Sequence, residues 1–303
     1  MGTVKMDHSQ WEGKTEGTTW MHRTLIRSFR YLNLRFVYIG MAVLVVPFYM
    51  LFSHQGYISM YHFFRRRMRF SPLKAFGYVY LNHCRFGQII LDRFAVYAGQ
   101  HFDFEIENYD LFETLSRKEG GFMILSCHVG NYEIAGYVFK ANEKRYNALV
   151  FSGEADTVME NRNRLLSKNN IRMIPVREDM SHLFVMNNAL SDGEILSIPG
   201  DRIFGSPRFV RCELLGASAK FPLGPYAMAV SHDVPVLSIF VMKETTHRYR
   251  VLIRPLQASP ADSHLSRQER SAALAQQFAN EIDDVVRRYP TQWFNYYEFW
   301  NEE

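Results

Sequence analysis

The stretch GFMILSCHVGNYE, residues 121 to 133, decides the fold of this chain. Its apolar part, Phe122 to Leu125, does not alternate with polar residues, which is typical of a strand buried on both faces in a parallel sheet. Such sheets place their chemistry at the carboxyl ends of their strands. His128 stands at that end and Glu133 completes an H-x4-E spacing, so the stretch predicts both the fold and a reactive centre.

Beyond this stretch, short apolar segments alternate with segments of helical pattern. Strands are predicted at 121 to 127, 147 to 152, 171 to 175, 194 to 199, 235 to 242 and 248 to 254. Helices are predicted at 72 to 100, 131 to 140, 157 to 168, 180 to 191, 225 to 232 and 266 to 289. This alternation predicts an α/β fold with a mixed, mostly parallel sheet flanked by helices. The aromatic-rich end, PTQWFNYYEFW, is expected to lie against the protein body or a membrane surface.

The first 70 residues differ from the rest of the chain. Apolar side chains recur on one side of a predicted helix with arginines opposite, namely Leu25, Phe29, Leu32 and Phe36 against Arg23, Arg27 and Arg30. Residues 36 to 52 then form a 17-residue run without charge, at the short limit for crossing a bilayer. We therefore expect a membrane-associated helical anchor at 21 to 70, after a polar tail at 1 to 20 and before a catalytic domain at 71 to 303.

Three placements of the apolar run are open: a single span, a helix lying in the cytoplasmic interface, and a buried helix of a soluble core. Basic residues flank the run on both sides, so the positive-inside rule gives no orientation. The formal net charge is +4 and arginines crowd the first 70 residues, which indicates an anionic lipid surface. No nucleic-acid partner is expected, because the sequence carries no nucleic-acid recognition motif. Three cysteines without C-x-x-C spacing indicate a reducing compartment.

The H-x4-E spacing suits a base and its carboxylate. If the strand ends near His128, Gly130 permits a tight turn and Asn131 caps a helix whose first turn contains Glu133. The helix dipole keeps that carboxylate ionised, and we expect it to reach one imidazole nitrogen, which leaves the other as a base toward a substrate hydroxyl. Free helix N–H groups are expected to hold an oxyanion. The alternative is purely structural, with a histidine capping a strand and a glutamate capping a helix.

Cationic side chains after other strands are candidates for binding phosphate groups. Arg162 and Arg164 follow the second predicted strand and Arg202 follows the fourth, although solvated surface arginines are the alternative. Asp201 either orients an arginine, touches the acceptor or caps a turn. Lys220 precedes a proline- and glycine-rich helix start that suits a donor phosphate. The predicted substrate-binding residues are Asn131, Arg162, Arg164, Asp201, Arg202 and Lys220, beside the catalytic pair His128 and Glu133.

Other chemistries fit the sequence less well. A serine hydrolase would carry a G-x-S-x-G elbow, and the nearest string, which begins at Gly216, lacks the last glycine. A zinc enzyme would carry paired ligands such as H-E-x-x-H, which the sequence lacks, so no metal is expected.

The order of the motifs resembles that of the lysophospholipid acyltransferase superfamily, and within it the late lipid A acyltransferases of the lauroyl and myristoyl type. CHVGNYE lies where that family carries its H-x4-D/E box, and the resemblance continues through NRNRLL at 161 to 166, SIPGDR at 197 to 202 and LLGASAKFPLGPYAMA at 214 to 229. It covers most of residues 20 to 300. The glycerophosphate branch carries a Pro-Glu-Gly-Thr box where this chain has Pro-Gly-Asp-Arg, so glycerol 3-phosphate is a less expected acceptor.

The resemblance implies that His128 is the general base and Glu133 its partner. It also implies a fatty acyl thioester of acyl carrier protein or coenzyme A as co-substrate, with no other cofactor. The implied acceptor is a hydroxyl or amine of a lipid A precursor or related polar lipid, at the cytoplasmic face of a bacterial inner membrane. The alternatives are acylation of an amino-acid lipid or a polyene-type lipid, and a catalytically inactive lipid-binding protein of the membrane surface.

Overall fold

The computed structural model describes residues 19–52, 54–137, 139, 143–150, 160, 162–163, 166–177, 179–203, 208–257 and 264–300. Half of the predicted helix at 157 to 168, and all but the last two residues of the predicted tail at 1 to 20, lie outside the described residues.

A mostly parallel sheet of seven strands organises the described part of the chain. Nine strands occur in the described residues, seven in this sheet and two in a separate hairpin: β1 (Asp103–Glu107), β2 (Phe122–Ser126), β3 (Tyr146–Val150), β4 (Ile171–Pro175), β5 (Ile195–Pro199), β6 (Phe209–Leu214), β7 (Ala217–Pro222), β8 (Val236–Lys243) and β9 (Arg248–Leu256). The main sheet has the order β1-β9-β8-β2-β5-β3-β4, and β6 pairs with β7 in a separate antiparallel hairpin. Within the main sheet β8 and β9 pair antiparallel and the other neighbours pair parallel. The predicted fold class is confirmed.

The helices lie on both faces of this sheet. They are α1 (Thr19–Ser28), α2 (Leu34–Gly40), α3 (Val46–Phe52), α4 (His54–His62), α5 (Pro72–Tyr97), α6 (Tyr109–Arg117), α7 (His182–Ser191), α8 (Leu223–His232) and α9 (Arg267–Arg288). Turns of π-helix join α2 to α3 at Met41–Val45 and follow α4 at Phe63–Arg67. Tyr132–Tyr137 is a 3-10 helix where an α-helix from 131 to 140 was predicted.

Strand β2 lies in the middle of the sheet because both of its faces are apolar. Met123 and Leu125 enter a core shared with α7, α8 and α9, whereas Phe122 and Ile124 enter a second core shared with α5 and α6. All five side chains of β2 are buried. Its carboxyl end, where His128 follows, therefore opens between two packed layers at one edge of the sheet.

Strand β1 and the β6–β7 hairpin are absent from the sequence-based prediction. The sequence of β1, DFEIE, reads as polar, yet it pairs parallel with β9 at the edge of the sheet. Arg250 of β9 pairs with two of the three carboxylates of β1, with Nη2 3.1 Å from Glu105 Oε2 and Nη1 3.1 Å from Glu107 Oε1. Cross-strand charge pairing stabilises an edge strand that has little apolar surface to bury.

The amphipathic helix predicted from Leu25 to Phe36 is wrong in its extent. Helix α1 ends at Ser28, and the side chain of Asn33 caps the start of α2 by accepting from the N–H of Arg35. Phe29 turns into the core whereas Phe36 remains exposed, because the break rotates the two helices relative to each other. One helical wheel therefore does not describe both segments.

The described residues include one helix, Leu34–Phe52, that is long and apolar enough to cross a membrane by length and composition alone. Its outward side chains are exposed and apolar, among them Leu44 and Phe48. Its inward side packs on α5, where the hydroxyl of Tyr80 donates to the carbonyl of Ala42 at 2.9 Å. A buried helix of a soluble core would not leave so many large apolar side chains in solvent.

The aromatic end of the chain packs against the protein body, which was one of its two predicted positions. Trp293 is buried, with Phe63 stacked at 5.7 Å and Trp300 stacked at 5.7 Å between ring centroids. The amide of Asn82 on α5 donates to the Trp293 carbonyl at 2.7 Å. This C-terminal segment thereby joins the α4–α5 region to the carboxyl end of β2, where His128 follows.

Candidate active site

The register of two neighbouring strands brings His128 and Asp201 together. Strands β2 and β5 are parallel, and Ser126 lies opposite Pro199 at their carboxyl ends. Two residues beyond each partner, Nδ1 of His128 lies 2.9 Å from Oδ1 of Asp201. The backbone N–H of His128 donates to Oδ2 of the same carboxylate, also at 2.9 Å. Two hydrogen bonds to one buried carboxylate fix both the backbone and the ring of His128.

Asp201 is a buried, ionised carboxylate. Its side chain is 0% exposed, and the amide of Asn295 also donates to Oδ2, at 3.3 Å. Burial by itself favours the neutral acid, but the charge of His128, its hydrogen bonds and the charge of Arg202 together lower the pKa of Asp201 to about 2. The carboxylate therefore accepts from Nδ1–H of His128 across the physiological pH range.

This contact determines which nitrogen of His128 is basic. Because Asp201 accepts from Nδ1–H, the neutral ring carries its lone pair on Nε2. No hydrogen-bond partner for Nε2 occurs among the residues that the structure describes, and the side chain is 16% exposed. Tyr132 packs against the ring edge-on at 5.4 Å between centroids, which limits its rotation. Nε2 is thus oriented, accessible and able to accept a proton.

The imidazole of His128 is held neutral. Burial and the nearby charge of Arg202 lower the pKa of His128, and the carboxylates of Asp201 and Glu133 oppose this shift without reversing it. A general base has to be unprotonated before it reacts, so this shift gives His128 the protonation state at neutral pH that such a role would require.

The shift predicts the pH dependence of catalysis. If His128 reacts as a neutral general base, the acid limb of kcat/KM is expected to have its midpoint below 6.5, the usual pKa of histidine. Replacing Arg202 with Gln removes a positive charge, so the pKa of His128 rises and the limb moves to higher pH. The exposed Arg211 on the hairpin provides the control, and Arg211→Gln should leave the limb in place. Steady-state rates between about pH 4.5 and 8 measure the shift, and a limb that moves downward in Arg202→Gln would contradict the assignment.

The expected contact between Glu133 and the imidazole is not what the structure has. Oε2 of Glu133 lies 2.9 Å from Nε of Arg93 on α5, and Oε1 lies 3.1 Å from an Nη atom of Arg162. The two guanidinium groups outweigh burial and lower the pKa of Glu133. Glu133 does lie in the first turn of a helix, as predicted, but Nδ1 of His128 is hydrogen-bonded to Asp201 instead.

The turn between His128 and Glu133 is tight for a steric reason. Gly130 has φ +69°, and a Cβ there would lie 2.2 Å from the carbonyl oxygen of Val241. The N–H of Gly130 donates to the carbonyl of Gln292 at 2.8 Å, and that of Asn131 donates to Val241 at 2.7 Å. The prediction that free N–H groups at this turn hold an oxyanion is therefore wrong for these two groups.

Two predicted substrate-binding residues face the interior. Asn131 is buried, and its amide donates to the hydroxyl of Tyr249 at 3.1 Å. Arg162 is also buried, with its guanidinium paired to Glu133. Both contacts lie within the protein, and substrate binding by Asn131 and Arg162 stays a prediction.

The other predicted binding residues have different surroundings. Nε of Arg202 donates to Oδ1 of Asn295 at 2.6 Å, and an Nη group donates to the Phe294 carbonyl at 2.8 Å. This arginine therefore anchors the C-terminal segment beside Asp201. Lys220 lies half-buried on β7 of the hairpin, with Nζ 5.2 Å from the ring centroid of Phe209. Arg164 lies outside the described residues.

Comparisons with known proteins agree with this geometry. A sequence model of the family described as bacterial lipid A biosynthesis acyltransferase matches residues 96–301 of the 303. The chain belongs to this family. It is therefore an acyltransferase of lipid metabolism, within the lysophospholipid acyltransferase superfamily.

The acyltransferase is also similar to solved structures, among them the 1-acyl-sn-glycerophosphate (LPA) acyltransferase PlsC from Thermotoga maritima. The identity is 13% and the TM-score 0.39, over 91% of this chain and 99% of that one. Among curated proteins, none matches the chain significantly.

Sequence reasoning missed two residues of the acyltransferase site. Arg93, which binds Glu133, lies on α5 forty residues before it, and nothing in the spacing marks it. Asn295, which contacts both Asp201 and Arg202, stands inside the aromatic end, where its polar character among buried rings was a readable signal. A buried amide among aromatic side chains requires a partner, and here the partners are Asp201 and Arg202 of the candidate site.

Proposed function

We propose that the protein transfers a fatty acyl chain from an acyl thioester to a hydroxyl of a polar lipid, with His128 as the general base. The donor is acyl carrier protein or coenzyme A, and the acceptor is a lipid A precursor or a related polar lipid. The observation that carries the proposal is the hydrogen bond from Nδ1 of His128 to the buried Asp201, at the carboxyl edge of the sheet. Membership of the family supports the substrate class.

The reaction runs in two steps that conserve charge and atoms. Nε2 of His128 removes the proton from the acceptor hydroxyl as its oxygen attacks the thioester carbonyl, and a tetrahedral intermediate forms. The carbon–sulfur bond then breaks, and the imidazolium returns the proton to the departing thiolate. An ester and a free carrier thiol are the products, without a covalent acyl-enzyme.

Asp201 and Glu133 support this chemistry differently in the proposal. Asp201 fixes the tautomer of His128 and stabilises the imidazolium formed by proton transfer. Glu133 keeps Arg93 and Arg162 in place behind the site and adds negative potential near the ring. The pair proposed from the H-x4-E spacing is thus replaced by a histidine–aspartate dyad with Glu133 as an electrostatic support.

Phosphate groups of the substrates are proposed to meet the cationic side of the site. Arg202 is half-buried beside His128, and its charge attracts anions toward the dyad. Lys220 on β7, three residues before the start of α8, is proposed as a second cation. We keep Arg164 as a proposed phosphate ligand on its sequence position alone.

The proposed location is the cytoplasmic face of a bacterial inner membrane, with the bilayer contacted by residues 21 to 70. The exposed apolar side chains of Leu34–Phe52 support this contact. In sucrose-gradient flotation with anionic vesicles, the wild-type protein is expected to float. Replacing both Leu44 and Phe48 by Glu should reduce the floating fraction about tenfold, because charge is costly in the bilayer.

A matched control separates this effect from added charge in general. Leu265 is an exposed apolar residue before α9, far along the chain from the anchor, and Leu265→Glu should float like the wild type. Equal flotation of the double variant and the control would contradict the assigned membrane surface.

The acceptor is identified best by lipid mass spectra of a deletion strain and its parent. In the deletion strain, one polar lipid is expected to be lighter than in the parent by the mass of a single acyl chain. That lipid is the product of the enzyme, and its lighter form is the acceptor. An amino-acid lipid or a polyene lipid that loses the increment would favour the alternative acceptors. In purified protein, the rates with acyl carrier protein and coenzyme A thioesters identify the donor, and no transfer from either would favour the inactive lipid-binding protein.

A further inference from the structure

A second cluster of charged groups lies inside the protein, and the proposed reaction does not use it. Asp92 of α5 and Lys243 at the end of β8 are both buried, with Nζ 2.5 Å from Oδ2. Nζ also donates to the carbonyl of Thr246 at 3.1 Å. Lys243 lies against aromatic rings, 4.8 Å from the ring centroid of Tyr249 and 5.2 Å from that of Tyr38. An ion pair so deep in the fold is costly to bury unless its remaining groups are bonded.

The carboxylate of Asp92 collects three donors from three different elements. Besides Lys243, the hydroxyl of Tyr38 on α2 donates to Oδ1, and the hydroxyl of Tyr249 on β9 donates to Oδ2. The two tyrosines therefore make the same kind of contact with the same carboxylate, each with a different oxygen.

Only one of these tyrosines reaches the reaction centre. The hydroxyl of Tyr249 accepts a hydrogen bond from the amide of Asn131 at 3.1 Å, and Asn131 stands three residues after His128 in the tight turn. The same turn is bound by Gln292, whose carbonyl accepts from the N–H of Gly130 at 2.8 Å. The side-chain amide of Gln292 forms two hydrogen bonds of 2.9 Å with the backbone of Lys243. The buried ion pair is thus connected to the His128 turn along a short chain of bonds.

We propose that Tyr249 is a positioning residue of the acyltransferase: held by Asp92, its hydroxyl fixes Asn131 and thereby the turn that presents His128 to the acceptor. This inference rests on the proposed role of His128. A hydroxyl that is itself bonded to a buried carboxylate is a strong and rotationally fixed acceptor, which suits a group that has to hold a turn in one position. The side chain of Tyr249 acts through Asn131 and touches no reacting atom.

The chain provides a matched pair of variants for the test. Tyr249→Phe and Tyr38→Phe each remove one hydroxyl that donates to Asp92, so both should lower the melting temperature, with the larger loss in Tyr249→Phe because the buried amide of Asn131 also loses its partner. Only Tyr249→Phe also deprives Asn131 of its acceptor. We expect kcat to fall about tenfold or more in Tyr249→Phe, with KM within about twofold, and to stay within about twofold of wild type in Tyr38→Phe. Equal values of kcat in the two variants would overturn the proposal.

A second measurement does not depend on catalysis. Hydrogen–deuterium exchange of the peptide that contains residues 127 to 134 should become faster in Tyr249→Phe and remain as in the wild type in Tyr38→Phe. If exchange behaves this way and the wild type transfers no acyl group, the proposed function fails while the positioning contact stands. If the peptide exchanges at the same rate in both variants, the bond between Asn131 and Tyr249 does not fix the turn and the proposal is overturned.

The opposite end of the contact gives a further check. Asn131→Ala removes the donor, and the double variant with Tyr249→Phe should have the same kcat as the slower single variant, because both changes break one bond. Effects that multiply would mean that the two side chains act independently, which would also overturn the proposal.

Discussion

Replacing His128 by alanine is expected to lower kcat by a factor of about 10² to 10⁴, the usual contribution of a positioned general base. The reason is that Nε2 is the oriented, accessible nitrogen of a neutral imidazole, with Nδ1 bound to Asp201. The measurement is acyl transfer from a radiolabelled thioester to lipid acceptor by purified protein, at saturating concentrations of both substrates.

A matched histidine variant controls for general effects of the substitution. His101 is 90% exposed, and His101→Ala should retain the wild-type kcat. Circular dichroism and the melting temperature of His128→Ala establish that the variant is folded. A folded His128→Ala protein with unchanged kcat would show that the imidazole is not the base.

Replacing Asp201 by asparagine is expected to cost nearly as much, about 10² to 10⁴ in kcat. An asparagine amide can donate to Nδ1, which would move the ring proton to Nε2 and remove the lone pair from the reacting side. Loss of the carboxylate also lowers the pKa of His128 further, because Asp201 raises it in the wild type. The acid limb of the residual activity should therefore shift to lower pH, opposite to the shift in Arg202→Gln.

Glu133→Gln distinguishes the dyad in the structure from the one expected from the spacing. Glu133 is paired with Arg93 and Arg162, so its neutralisation leaves two cations with a weaker partner. The expected result is a loss of about 3 to 5 kcal/mol in the free energy of unfolding, with a smaller loss of kcat in the folded protein than in Asp201→Asn. If Glu133→Gln abolishes transfer and Asp201→Asn does not, the pairing from the H-x4-E spacing is right and the dyad described here is wrong.

The sheet was predictable because its central strands are apolar on both faces. Mostly apolar strings such as FMILS, VLSIFVMK and ILSIP are typical of strands that are buried on both faces. The six predicted strands begin and end within two residues of their prediction. Strand β1 was not predictable in this way, since DFEIE has only two apolar residues and depends on Arg250 of a distant strand. Edge strands of this kind are determined by tertiary pairing and leave little local signal.

The position of His128 was predictable, whereas its partner was not read correctly. The spacing of five residues to Glu133 drew attention to a local carboxylate, yet a carboxylate at the end of a neighbouring parallel strand lies at the same height in the sheet. His128 and Asp201 each stand two residues beyond the end of their strand. Counting residues from the two strand ends indicates the pair only when the ends are known to the residue and β2 and β5 are known to be neighbours, and strand order cannot be read from local sequence.

Binding residues were the least predictable part of the site. Asn131 and Arg162 are polar residues in suitable positions, but the direction of a side chain depends on where its partners lie. Their partners, Tyr249 and Glu133, come from another strand and from the turn itself. A cation near a strand end is as well suited to an internal carboxylate as to a phosphate, and the sequence alone does not separate the two.

The central claim is direct acyl transfer from a thioester to a lipid hydroxyl by the base His128. The most direct measurement combines purified wild-type protein, radiolabelled fatty acyl carrier protein and a lipid A precursor in mixed micelles, with lipid ester and free thiol followed over time. The account predicts one thiol released for each lipid ester formed, no label on the protein, and loss of both products in His128→Ala. Label retained covalently on the protein, or equal ester formation by His128→Ala, would contradict it.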